Sequence, residues 1–190
     1  MRGLAIDPGS TESAVVVYEG DERTALTGPG RVLKHETLSN QGLLEILRDD
    51  LSSLVYGLDW YACEWMEPRG MPTSAQEFET LFWIGRFAEA LENRPNHNPD
   101  GRPAKLERVT RRKVKQHLGV GGRGAVGEKL PSYDARIRSV LIDRWGGIGG
   151  KEAAMGRKAS PGPLYGISGD QWAALALAVT VADNRSPEEW

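Results

Sequence analysis

The chain opens on two short apolar runs, Leu4 to Ile6 and Ala14 to Tyr18, separated by the turn residues Pro8 to Ser13. Apolar runs of this length bounded by Pro and Gly predict strands. Val15, Val16 and Val17 strengthen the second, because branched side chains suit a pleated backbone. Arg31 to Glu36 predicts a third strand. From Asn40 to Val55 the period changes: Leu43, Leu44, Leu47, Leu51, Leu54 and Val55 recur at three and four, which predicts a helix with Asn40 as its cap. Leu58 to Cys63 is another strand-like run. A helix is predicted over Ser74 to Leu91, with apolar contacts from Phe78, Leu81, Phe82, Ile84, Phe87 and Leu91. Leu106 to Val109 predicts a strand, Arg111 to Leu118 a short basic helix, Leu130 to Trp145 a helix, and Gly169 to Ala182 the last helix. The segments 66–74, 93–103, 119–127 and 146–166 are rich in Gly, Pro and polar residues and predict loops. A hairpin followed by alternating strands and helices argues for one α/β domain over residues 1–190, built on a mixed sheet flanked by helices.

Two of the predicted strands end in a carboxylate. Asp7 follows Ile6 and precedes Pro8-Gly9, and Glu64 follows Cys63. Burying a carboxylate is costly unless it is paired or holds a metal, so Asp7 needs partners. A third acid, Asp170, opens the Ala-rich last helix, where spacings of four and seven put Asp170, Ala174 and Leu177 on one face. If the apolar part of that face packs on the sheet, Asp170 stands beside the strand ends. Clustered carboxylates repel one another unless cations neutralise them, and hard oxygen donors select Mg²⁺ or Mn²⁺. Two such ions can activate a water and stabilise the leaving oxygen of a phosphodiester. Taken singly, Asp7 is a turn residue and Asp170 a charge favoured at a helix N-terminus; their combination favours a metal site.

Charge distribution adds a partner class. The net charge is only -2, but residues 100–160 carry 15 Lys and Arg against 6 Asp and Glu. A basic segment in an otherwise acidic chain predicts a surface for a polyanion, and the density of Arg111, Arg112 and Lys113 favours phosphate contact over a merely solvated helix face. Trp65, exposed in such a setting, is suited to stack on a base, unless another loop or a partner covers it. Cys63 is the single cysteine, which rules out an intrachain disulfide and fits a reducing, cytoplasmic compartment. No apolar run approaches membrane-spanning length, and the N-terminus lacks a signal-peptide pattern. His35, His97 and His117 show no metal-ligand spacing. The glycines of 119–127 are not followed by Gly-Lys-Ser/Thr, so they predict a mobile segment and not a nucleotide loop.

These residues, taken in order, resemble the RuvC-like Holliday junction resolvases of the RNase H superfamily. Ile6-Asp7-Pro8-Gly9 is similar to the opening strand motif, and Ala62-Cys63-Glu64 to the second acidic strand. Val114-Lys115-Gln116, the glycines at 119, 121, 122 and 124, Ala125 and Lys129 resemble the family's basic segment, and Asp170 through Ala178 its C-terminal helix. Met66 to Leu91, with Met71-Pro72 and Gly85-Arg86, is more similar to phage-encoded relatives, which implies a bacterial host cytoplasm. The resemblance implies an RNase H-like five-stranded mixed sheet and two Mg²⁺ ions, replaceable by Mn²⁺, on Asp7, Glu64 and Asp170. It implies lysines near the scissile phosphate at Lys115 and Lys129, and a homodimer that cuts a four-way junction. The loop holding Trp65, Met66, Arg69 and Met71 would enter the junction, and the DNA-contacting set would be Arg69, Arg111, Arg112, Lys113, Lys115, Lys129 and Arg136.

One position departs from the pattern. The family places a further acid three residues after the first in the last helix, and here that residue is Ala173. Asp183 lies about 20 Å farther along a helix and is a poor replacement; Glu67 and Asp134 are alternatives, or three acids suffice. Other functions remain open at this level: a nuclease acting on flaps, forks or RNA–DNA hybrids, a non-catalytic junction-binding or dimerisation protein, or an actin-like ATPase. The last lacks evident phosphate-binding glycine motifs and has a short chain for two lobes.

Overall fold

The computed structural model describes residues 1–20, 29–49, 52–67, 70, 73–94, 104–122 and 130–185. The first apolar runs form an antiparallel meander of β1 (Arg2–Pro8), β2 (Glu12–Glu19) and β3 (Arg31–Ser39). On its other side β1 pairs in parallel with β4 (Trp60–Trp65), Ile6 lying opposite Cys63. Strand β5 (Lys105–Thr110) continues the parallel half, with Glu64 opposite Val109. The sheet order is β3-β2-β1-β4-β5, the mixed five-stranded α/β sheet that the sequence predicts.

Alternation sorts the side chains into two cores. Leu4, Ile6, Val15, Val17 and Tyr61 face α1 (Asn40–Arg48) and α2 (Ala75–Glu92). Ala5, Val16, Trp60 and Ala62 face the layer that contains α3 (Arg111–His117), α4 (Tyr133–Gly146), α5 (Gly150–Met155) and α6 (Gln171–Asp183). The small Ala5 and Ala62 let α6 lie close on the sheet. That helix is apolar nearly all round and accordingly buried: from Gln171 to Ala182 only Ala173 falls outside the buried class. Among the described residues no helix is long and apolar enough to cross a membrane.

Several elements differ from the sequence reading. Helix α1 stops at Arg48 and not Val55, because Asp49 takes an extended backbone (φ -83, ψ 110) and 53–57 form turns. Leu54 and Val55 are nevertheless buried, so their apolar signal is core without helix. The cap of α1 is Ser39, whose hydroxyl accepts from the Gly42 N–H; Asn40 is buried and bonded elsewhere. Helix α4 starts at Tyr133, capped by Ser132. The predicted loop 146–166 contains a 3₁₀ turn (Gly147–Gly149), α5 and a small hairpin of Gly156–Arg157 with Ser160–Pro161. In α2, Ile84, Phe87 and Leu91 are buried as expected, but Phe78, Leu81 and Phe82 are 63%, 40% and 54% exposed.

Candidate functional site

Because β1 and β4 run parallel with Ile6 beside Cys63, Asp7 and Glu64 arrive together at one sheet edge. Alternation puts both on the face of Ala5 and Ala62, under α6. It also turns Cys63 to the opposite side, where it is fully buried and its thiol is pushed well above the usual range by that burial. The turn after Asp7 is tight: a Cβ at Gly9 would stand 2.3 Å from the Glu12 carbonyl oxygen. The Asp7 carboxyl is held well above its ordinary pKa by burial first, then by the charge of Glu64, with which it shares a hydrogen bond. Arg111 pulls it down and Asp170 pushes it up further. The three predicted acids are therefore electrostatically in touch.

Asp170 occupies the cap position of α6 without making a side-chain cap bond, and it is exposed. Its neighbour Gln171 does the anchoring. The Gln171 side-chain oxygen accepts from the Ser168 N–H (3.1 Å) and lies 3.0 Å from His35 Nδ1, while its amide donates to Thr37 Oγ1 (3.2 Å). The N-terminus of α6 is thus pinned to the edge strand β3. Gln171 was not singled out from the sequence, and neither was the role of Asn40; a lone polar residue beside a helix start carries no pattern that distinguishes it.

Arg111 follows β5 directly, so α3 begins at the same edge. Its guanidinium bonds Asp134 at 2.9 Å. Burial works to lower its pKa, but attraction by Glu64, Asp7 and Asp134 outweighs that and holds it above the ordinary value. Arg111, expected among the phosphate-contacting residues, stands beside the acids and also lines the cleft next to them.

A cleft of about 810 Å³ opens beside them, bordered by Glu64, Glu67, Arg112, Lys115 and Tyr133. A smaller hollow of about 210 Å³ is bordered by Asp170, Trp172 and Ala173. Arg111 and Asp134 line both. The Lys115 ammonium sits 3.5 Å over the Tyr133 ring and the Arg136 guanidinium 4.3 Å from its centroid. Arg136 also donates to the Gly122 carbonyl at 3.1 Å, which ties down the start of the glycine-rich segment. Arg112 pairs with Glu67 at 3.0 Å, Lys113 is exposed on α3, and Trp65 stacks with Arg108 at 4.8 Å. Asp183 lies at the far end of α6, bonded to Arg144 (2.5 and 2.7 Å) and His117 (3.0 Å). Arg69, Met71 and Lys129 lie outside the described residues.

Carboxylate oxygens are the donors a Mg²⁺ or Mn²⁺ ion takes, and Asp7, Glu64 and Asp170 supply them. Among the described residues, however, no group of three His, Cys, Asp or Glu is arranged to hold an ion. In this structure Arg111 provides the positive charge at the acid cluster.

The fold has solved counterparts. The structure of RuvC from Thermus thermophilus matches at TM-score 0.54 with 20% identity, covering 96% of this chain and 94% of that one. The T. thermophilus RuvC in complex with Holliday junction substrate matches at 0.53 with 18% identity and the same coverage. The fold is RuvC-like. No protein-family model matches the chain, and no curated protein matches it significantly. The RuvC-like fold accounts for the meander, the parallel pair that brings Asp7 and Glu64 together, and the last helix whose start brings Asp170 within electrostatic reach of Asp7.

Proposed function

We propose that the protein is a divalent-metal-dependent endonuclease that resolves branched DNA, four-way junctions above all. The observation that carries this reading is the pairing of Asp7 with Glu64 on parallel strands, with Asp170 in electrostatic contact, beside a cleft edged by Arg112 and Lys115. The RuvC-like fold supports it, since one solved counterpart is bound to a Holliday junction. Asp7, Glu64 and Asp170 hold Mg²⁺, with Mn²⁺ as a substitute. When bound, such an ion activates a water and offsets charge on the leaving oxygen.

The chain's own residues do the rest. With an ion bound, Asp7 and Glu64 would both serve as carboxylates, the proton between them passing to bulk water. Lys115 and Arg112 bind the DNA phosphates, and Lys113 extends that contact along α3. Lys115 keeps its ammonium at the cleft by resting on Tyr133. Lys129 and Arg69 join the same DNA-binding set. The protein acts as a homodimer, and the exposed Phe78, Leu81 and Phe82 of α2 offer an apolar face for a second copy. Incubating a synthetic four-way junction with the protein and Mg²⁺ tests the reading. Symmetric nicks from the wild type and none from Asp7→Asn are expected; equal cleavage by the two proteins overturns it.

A second reading, junction binding without catalysis, is favoured by two observations: residue 173 is an alanine, and among the described residues no group of three His, Cys, Asp or Glu is arranged to hold an ion. Tight junction binding without cleavage in Mg²⁺ or Mn²⁺ would establish it. Parallel assays on flaps, forks and RNA–DNA hybrids separate a broader nuclease from both.

A further inference from the structure

Three cations line the large cleft, and they differ in what they already hold. Arg111 is bonded to Asp134 at 2.9 Å and Arg112 to Glu67 at 3.0 Å, both carboxylates belonging to the same cleft. A phosphate that engages either guanidinium competes with its carboxylate. Lys115 is placed differently. Among the described residues its ammonium forms no ion pair, although Glu64, Glu67 and Asp134 line the cleft with it. It rests instead 3.5 Å over the Tyr133 ring. That ring is itself held. Tyr133 is the first residue of α4, directly after the Ser132 cap. Arg136 follows three positions on, a spacing that puts the two side chains side by side on the helix. Its guanidinium lies 4.3 Å from the ring centroid and donates to the Gly122 carbonyl at 3.1 Å, in the segment that follows α3.

We propose that Tyr133 is a positioning residue for DNA binding, its ring holding the Lys115 ammonium in the cleft without an ion pair so that it meets a backbone phosphate uncommitted. The inference rests on the DNA-binding part of the reading above and involves no metal ion. Three physical arguments support it. An ammonium on a four-carbon stem is a mobile point charge, and ordering it on binding costs rotamer entropy. The face of a tyrosine ring attracts a cation, so part of that ordering is complete before the DNA arrives. The ring carries no net charge, so a phosphate oxygen can add to the contact without expelling a carboxylate, and its charge-assisted hydrogen bond is the stronger of the two interactions. If Lys115 paired with Glu67 or Asp134, neutralising a phosphate would first require breaking that pair, and one electrostatic contact with the DNA would be weakened.

The test is binding of a synthetic four-way junction to the full chain, followed by fluorescence anisotropy at several salt concentrations without divalent ions. Tyr133→Leu is expected to bind about fivefold more weakly at physiological salt and to lower the slope of log affinity against log salt by about 1. Tyr133→Phe keeps the ring and is expected to retain the wild-type affinity and slope. Tyr133→Leu/Lys115→Ala is expected to bind no more weakly than Lys115→Ala, because the ring acts through the lysine. A wild-type slope in Tyr133→Leu, losses that add in the double variant, or a loss in Tyr133→Phe as large as that in Tyr133→Leu overturns the inference and leaves the DNA-binding reading intact. A wild type that does not bind the junction overturns that reading and the inference with it. Tyr133 is 37% exposed, so the leucine variant is expected to fold, as circular dichroism checks. If it does not, Tyr133→Met takes its place, with the same expected losses and the same overturning results.

Discussion

The Ser13 hydroxyl donates to the side-chain oxygen of Asn40 across 2.6 Å, and both residues are buried. The Asn40 amide goes on to the Gly9 carbonyl at 3.0 Å, and its backbone N–H to the Thr11 carbonyl at 3.0 Å. The first residue of α1 therefore holds the turn that leaves Asp7. Asn40→Ala strands a buried hydroxyl and a carbonyl, which costs roughly 1–3 kcal/mol. Urea unfolding should show that loss, and junction cleavage measured well below the new melting point should fall with it, because the turn that orients Asp7 is loosened.

Asp7 opposes folding in the absence of metal. Its folded pKa is raised above the ordinary 3.8, chiefly by burial. The metal-free wild type is thus most favoured below that value and loses stability as pH rises through the raised one. Asp7→Asn removes the loss. In chelator near neutral pH the variant should be more stable by on the order of 1 kcal/mol in urea titrations, yet inactive on junctions. A variant no more stable than wild type at that pH contradicts the electrostatics.

Asp183 behaves in the opposite way. Burial works to raise its carboxyl, but hydrogen bonds from His117 and Arg144 outweigh it and hold it below the ordinary 3.8. Its contribution is present above that value and is lost as pH falls through the lower folded one. Asp183→Asn should cost roughly 1–3 kcal/mol at neutral pH and soften acid unfolding, read by circular dichroism. Mn²⁺ affinity should not change, since the residue is at the far end of α6 from Asp170.

The apolar face of α2 gives a prediction about assembly. Phe82→Glu places a charge where the ring is 54% exposed, so the fold should persist. Sedimentation equilibrium should show a dimer for the wild type and a monomer for the variant; an unchanged mass moves the interface elsewhere.

Lys115 gives a salt test. Its ammonium lies at the cleft over Tyr133. If it neutralises one phosphate, Lys115→Ala should reduce the slope of log affinity against log salt by about 1. Junction binding by fluorescence anisotropy at several salt concentrations, without Mg²⁺, measures it.

The strand ends were legible because their signal is local. A short apolar run, a carboxylate and a turn occupy adjacent residues at Asp7 and again at Glu64, and period-two alternation states which face each takes. The Ala-rich run after Asp170 likewise announces a helix buried against a sheet. The end of α1 was less legible, since Leu54 and Val55 stay buried in turns and a buried residue keeps helical spacing only by coincidence there. The basic segment was legible as charge density, a sum that ignores direction; which partners its members take within the fold, Arg111 with Asp134 and the acids, Arg136 with Tyr133 and Gly122, was not.

What the sequence by itself determined is the inventory: which acids end strands, where the last helix begins, where positive charge is concentrated, and that position 173 has no oxygen to offer. The tertiary structure alone decided who meets whom. The parallel register of β1 and β4 sets Asp7 against Glu64, Gln171 and Asn40 fix the segments beside the acids, and Arg111 enters the cluster because β5 delivers α3 to the same edge. Those are contacts between residues tens of positions apart, and no local pattern of polarity encodes which distant carboxylate a guanidinium will find.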